Sequence, residues 1–203
     1  MPKIVDKEEK RNLIIEAAVR VIAKLGFANA KMLQIAEAAG IGKGTIYEYF
    51  KSKEELFHAI INANMKEMTS QISKRIRKYE NPKDKLQAYF DEWAKIFDSP
   101  FMEFAEIMLD FWAEGLRSEH KDKGFDLNKM YADYRVQLQD ILNEGIETGY
   151  FKPEINSLVL ASIIFGALDG IMIQWILDKT IFDLSEAVDE FARVTIDGIS
   201  ITN

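Results

Sequence analysis

A chain of 203 residues, 48% of them hydrophobic, can bury a real core, either as one medium domain or as a small domain fused to a larger one. Cysteine is absent, which excludes a disulfide framework, a cysteine metal site and a thiol nucleophile, and the two histidines, His58 and His120, stand in no metal-ligand spacing. The net charge of −7 is unevenly divided: residues 1–53 carry ten Lys or Arg against six Asp or Glu, so the chain opens basic and continues acidic, and overall acidity does not exclude a nucleic-acid partner.

Four prolines, eleven glycines and few alternating β-branched runs predict helices throughout, an all-α fold. The first helix is expected over residues 7–25, with Leu13, Ile14, Ala17, Ala18, Val21, Ile22 and Leu25 on one stripe and Gly26 just past its end. Asn29 is the expected N-cap of the next helix. Residues 32–51, MLQIAEAAGIGKGTIYEYFK, have the spacing of a helix-turn-helix. Ile35, Ala36 and Ala39 face one way, Gly40 opens a tight turn, and Ile41, Ile46 and Phe50 carry the apolar contact into a second helix that begins at Gly42-Lys43-Gly44-Thr45.

Ser52-Lys53-Glu54-Glu55 has the Ser and third-position Glu of a capping box, so a long helix is expected from there to about residue 79, where Asn81-Pro82 stops it. Helices over 83–97 and 101–116 follow, then a polar loop over 117–124. Asp126 is placed to cap a helix that runs to residue 148 and ends at Gly149. A very apolar helix over 156–178 and a last one over 184–199, opened by an Asp183-to-Glu186 capping box, complete about nine helices. No repeat is present. Residues 155–177 are long enough to span a bilayer, but Asp169 and Gln174 lower their apolar density and no second span exists. A buried helix and no membrane association are expected. The first fifteen residues lack the apolar stretch of a signal peptide, so the expected location is cytoplasmic.

Taken together, a leading helix, Gly26-Phe27, and the run I-A-x-A-A-G-I-x-K-G-T-I-Y-x-Y-F-K-S-K-E-E-L-F over residues 35–57 resemble a TetR-type transcriptional regulator; the likeness is close over residues 10–61. The resemblance implies an all-helical homodimer in which a three-helix head, residues 1–52, binds a palindromic operator. A larger domain, residues 53–203, would bind a small effector and dimerise. It places Lys43, Gly44 and Thr45 at the start of the recognition helix, and Tyr47, Tyr49 and Lys53 at positions that hold DNA phosphates, which sets register rather than sequence preference. Two departures bear on specificity. Where the family has a hydroxyl cap and a polar reader, this chain has Ala30-Lys31-Met32-Leu33-Gln34. Leu33 can meet thymine methyls but cannot hydrogen-bond a base, and Lys31 either replaces a phosphate contact or is a plain solvated lysine.

For the effector, aromatic and methionine side chains concentrate between residues 93 and 134. Trp93, Phe97, Phe104, Met108, Phe111, Trp112, Tyr131 and Tyr134 would suit a hydrophobic or aromatic ligand, or else form ordinary core. Asp169, between Gly166 and Gly170, needs a partner, and three roles are open to it: a polar anchor for the effector, a member of the subunit interface, or a tie within one chain. The last two helices, 156–178 and 184–199, carry more apolar surface than one chain needs and are the expected dimer interface. No cofactor or metal is expected and no catalytic constellation is visible. The rival reading is a helical small-molecule carrier whose DNA-binding head is vestigial.

Overall fold

The computed structural model describes residues 7–95 and 127–201, which form eight helices and, among those residues, no β-strand. The helix expected over 101–116, the loop at 117–124 and the Asp126 cap lie outside the described residues. Two compact units divide the described chain: residues 7–66, and residues 67–95 with 127–201.

The first unit holds α1 (Lys7–Leu25), α2 (Met32–Ala38), α3 (Lys43–Tyr49) and the first half of α4 (Lys53–Ile76). Ile14, Ile15, Ala17, Ala18 and Ile22 form the buried face of α1. The expected stripe is therefore corrected at one edge: Leu13 is 44% exposed and Ile15 takes the inward position. Burial of Ile35 and Ala36 from α2, Ile46 from α3 and Phe50 just after it, and Leu56, Phe57 and Ile60 from α4 completes this core. Each such aliphatic or aromatic side chain contributes about 1.5–3 kcal/mol by leaving water.

The turn between α2 and α3 explains why one amphipathic run becomes two helices. Gly40 adopts φ +66°, a left-handed conformation that costs a side chain little only when that side chain is a hydrogen. Ile41 N–H then donates to Ala36 O (2.9 Å) and Gly40 N–H to Glu37 O (3.1 Å), so the last carbonyls of α2 are satisfied by the residues that leave it. At the start of α4, Glu55 N–H donates to Ser52 Oγ (3.1 Å), as the capping box requires. The Glu55 carboxylate reaches one residue further back than expected and accepts from Lys51 N–H (2.6 Å). The Asn29 expectation is corrected: α2 is preceded by Lys31, and the Asn29 side chain turns back to donate to Leu25 O (3.1 Å) at the open end of α1.

In the second unit, α5 (Pro82–Ala94), α6 (Leu127–Glu147), α7 (Ser157–Leu177) and α8 (Leu184–Ile199) pack in a bundle, α5 against α6 and α8, and α7 against α6 and α8. Asn81-Pro82 opens α5 rather than closing the helix before it: α4 has already ended at Ile76, and the Asn81 side chain accepts from Lys83 N–H (2.8 Å). Asn156 and Asp183 cap α7 and α8 in the same way, through Val159 N–H (3.1 Å) and Glu186 N–H (2.9 Å). Such caps contribute about 1 kcal/mol each. Leu86, Tyr89, Phe90, Leu138, Leu142, Ile164, Leu168 and Val188 are its buried centre. Lys85 Nζ joins α5 to Glu144 of α6 (2.5 Å), and the chain end is tied down where Lys152 N–H donates to Ile199 O (2.9 Å) and Ile201 N–H to Tyr150 O (3.0 Å).

The apolar helix α7 is buried on one side, through Ala161, Ile164, Phe165, Leu168 and Met172. Its other side is open: Leu158, Val159, Ile163 and Leu177 are exposed. The expectation of a buried helix thus holds for half of its circumference within one chain.

Candidate nucleic-acid interface

The geometry of α3 follows from its length of seven residues and its single fully buried anchor, Ile46. With Ile46 inward and Phe50 buried one turn on, helical spacing sends Lys43 and Tyr47 to one outer edge and Gly44 and Glu48 to the other, and all four are exposed. Thr45 and Tyr49 lie on the flank, half-buried. Tyr47 is a large aromatic left 42% exposed. A Cβ at Gly44 would have no heavy atom within 4 Å, so this face is open to close approach. On α2, Met32, Ile35 and Ala36 are inward, Leu33 is 45% exposed, and Lys31 is exposed just before the helix. Gln34 Oε1 accepts from Lys31 N–H (2.9 Å), the reciprocal half of a capping box; among the described residues, no side chain caps the N–H groups that a hydroxyl at the N-cap would accept from.

Lys53 differs from the other residues expected to hold DNA. Its Nζ donates to Phe27 O (2.6 Å) and Ala28 O (3.3 Å) and lies 4.4 Å from the centre of the Phe27 ring. One cation escaped the sequence reading: the Arg11 guanidinium stands 5.1 Å from the centre of the Phe50 ring, immediately after α3. Nothing in the local pattern around residue 11 signals this, since its partner lies 39 positions away.

Of the residues expected to bind an effector, Phe97, Phe104, Met108, Phe111 and Trp112 lie outside the described residues. The structure brings three others together. Tyr131 Oη donates to Asp169 Oδ2 (2.6 Å), Tyr134 stacks on Phe165 with centroids 5.4 Å apart, and Tyr131 meets the same ring edge-on at 6.1 Å. Trp93 is buried in α5. Phe165 and Tyr89 were not singled out from sequence, because each reads as one more core residue at helical spacing. Burial pushes the Asp169 carboxyl up to about 6, against which the Tyr131 hydroxyl pulls it down. Tyr89 is raised by its complete burial and then by the charges of Tyr134 and Asp169, so the four polar groups occupy one apolar neighbourhood. An open polar cleft of about 500 Å³ at the start of α8, lined by Asp183, Ser185, Glu186, Asp189, Glu190 and Arg193, shares none of these residues.

An all-helical chain with a short helix-turn-helix whose second helix turns its polar face outward has the architecture of a helix-turn-helix DNA-binding protein. Residues 14–60 match the bacterial regulatory proteins of the tetR family, and residues 61–198 match the C-terminal region of YsiA-like proteins. The chain belongs to the TetR family of transcriptional regulators. It is 26% identical over 193 residues to the fatty acid metabolism regulator protein of Bacillus subtilis, covering 95% of this chain and 97% of that one. It is 25% identical over 147 residues, 72% of each chain, to the transcriptional repressor KstR2 of Mycobacterium tuberculosis. Among solved structures, the regulator FadR of Bacillus subtilis in complex with stearoyl-CoA superposes with a TM-score of 0.75 at 26% identity, covering 93% of this chain and 98% of that one.

Proposed function

We propose that this chain is a transcriptional repressor that binds a palindromic operator as a homodimer and leaves it when a long-chain acyl thioester occupies the second unit. The observation that carries the DNA half is the outward face of α3: Lys43, Gly44 and Tyr47 stand free of the core that Ile46 anchors. In this reading Lys43 and Thr45 reach base edges or phosphates, Tyr47 and Tyr49 hold phosphates, Lys31 adds one from the start of α2, and Leu33 meets thymine methyls. Two heads would enter successive major grooves about 34–36 Å apart.

The second copy is proposed to dock on α7 and α8. In support, Val159, Ile163 and Leu177 are exposed along one side of α7. Cβ atoms at Gly166 and Gly170 would meet nothing within 4 Å, which leaves room for a partner helix to approach closely. That pairing would cover the apolar surface that gives α7 its membrane-like composition and suits a cytoplasmic protein. The effector class draws on the stearoyl-CoA complex of the Bacillus subtilis regulator and on the aromatic neighbourhood of Tyr131, Tyr134 and Phe165, with Asp169 as a polar anchor. The ligand acts by its differential affinity for the DNA-competent and released arrangements.

A gel shift on the duplex upstream of the chain's own reading frame tests both halves. Expected is a sequence-dependent shift that stearoyl-CoA reverses and free coenzyme A does not. A protein that binds stearoyl-CoA yet shifts no sequence in preference to another would instead be a carrier with a vestigial head.

A further inference from the structure

Lys53 is the first residue of α4, where the positive end of the helix dipole disfavours a cation. Its ammonium is nevertheless held in place. It donates to two carbonyls of the turn between α1 and α2, Phe27 O and Ala28 O, and sits over the Phe27 ring. That ring tilts against Phe57 of α4 at a centroid distance of 4.8 Å, so the same turn meets α4 through one polar and one apolar contact, four residues apart on the helix. Carbonyls in such a turn have no helical donor of their own, and a charged donor is the strongest partner available to them. The turn leads directly into Lys31 and Leu33, two of the residues proposed to face DNA. A phosphate that sought Lys53 would compete for an ammonium already engaged, whereas Lys31 and Lys43 are exposed.

We propose that Lys53 is a positioning residue: it fastens the start of α4 to the α1–α2 turn and sustains operator binding through that fastening, without itself holding a DNA phosphate. The inference rests on the operator-binding reading above and reassigns one residue within it. Fastened in this way, the turn, α2 and the first residues of α4 shift as one piece, so a movement of α4 is passed to the DNA-facing residues instead of being absorbed in the connection.

The test uses the full chain and its upstream duplex, with affinity measured by fluorescence anisotropy between about 50 and 200 mM salt. Lys53→Met keeps the stem and removes the charge. It is expected to bind roughly tenfold more weakly at every salt concentration, with the slope of log affinity against log salt unchanged. A slope shallower by roughly two, one lost phosphate contact on each subunit, would overturn the proposal, as would unchanged affinity. Phe27→Leu leaves every positive charge in place and loosens the same contact. Its loss of affinity should not add to that of Lys53→Met, and full additivity counts against the fastening. Without DNA, amide exchange at Ala30, which donates to Gly26 O across this turn (3.1 Å), should quicken in Lys53→Met. Unaltered exchange refutes the fastening itself. If the wild-type chain fails to discriminate between duplexes, the operator reading falls and the proposal with it, while the exchange measurement still reports whether the fastening exists.

Discussion

The hydroxyl of Tyr131 on α6 donates to the carboxylate of Asp169 on α7 across 2.6 Å, in the middle of a helix that is apolar or small at every other position except Gln174. This contact compensates part of the cost of placing a carboxylate there. The carboxyl still stands well above its ordinary value, so burial outweighs the single hydrogen bond.

That balance predicts a pH dependence. The folded carboxyl titrates near 6 and the unfolded one near 4, so between those values the native state holds the extra proton. Stability therefore falls as pH rises through this window, and the penalty is complete above it, up to about 3 kcal/mol. Asp169→Asn keeps an acceptor for Tyr131 and cannot ionise. Urea unfolding from pH 4 to 7 should show the variant gaining on the wild type as pH rises; parallel curves would mean that the carboxyl is not destabilised.

The Phe151 ring lies against the backbone of Gly145, where a Cβ would come within 2.8 Å of the ring Cγ and closer still to two other ring carbons. Phe151 is fully buried and cannot swing out without losing its core contacts. Gly145→Ala is expected to destabilise the protein by about 1–3 kcal/mol, read as a lowered melting temperature, with operator affinity per folded molecule unchanged.

Lys43→Ala should weaken operator binding tenfold or more and flatten its salt dependence if Lys43 meets a phosphate, or relax preference at one base position if it meets a guanine. Tyr47→Phe removes only a hydroxyl from each subunit, and a loss of roughly 25-fold is expected from the two hydrogen bonds of the dimer, about fivefold each. Sedimentation should find both variants in the wild-type oligomeric state. Wild-type affinity in both would remove α3 from the interface.

Ile163 is 58% exposed, so Ile163→Asp disturbs little within one chain. It would bury a charge wherever a second copy covers α7. Gly166→Leu fills the space that Gly166 leaves open. Both substitutions should shift sedimentation toward monomer and abolish operator binding while leaving the melting of the monomer fold close to wild type. Two dimeric variants would place the subunit interface elsewhere.

The local code of this protein is easy to read. Gly40 marks the helix-turn-helix turn, and Ser52 and Asp183 announce the starts of α4 and α8, because capping acts over three or four residues and is written in consecutive letters. Two of the differences share one cause. Asn29 was expected to serve the helix after it and serves the one before, and Leu13 was expected inside where Ile15 is; in both, alternatives one or two residues apart satisfy the same local rule. Asp169 was conspicuous as a carboxylate in an apolar helix, but its partner, Tyr131, was one aromatic among many.

The sequence by itself determined that the chain is helical, where most helices begin and end, and that residues 32–51 form a helix-turn-helix of the TetR kind, since these follow from periodicity, glycine conformations and caps. Tertiary structure alone decided that the Lys53 ammonium is spent on Phe27 and Ala28, that Arg11 stands over Phe50, and that Tyr131, Tyr134, Phe165 and Asp169 share one neighbourhood. Each of those pairings joins residues 25 or more positions apart. Their energies depend on distance in space, which no spacing in the chain encodes.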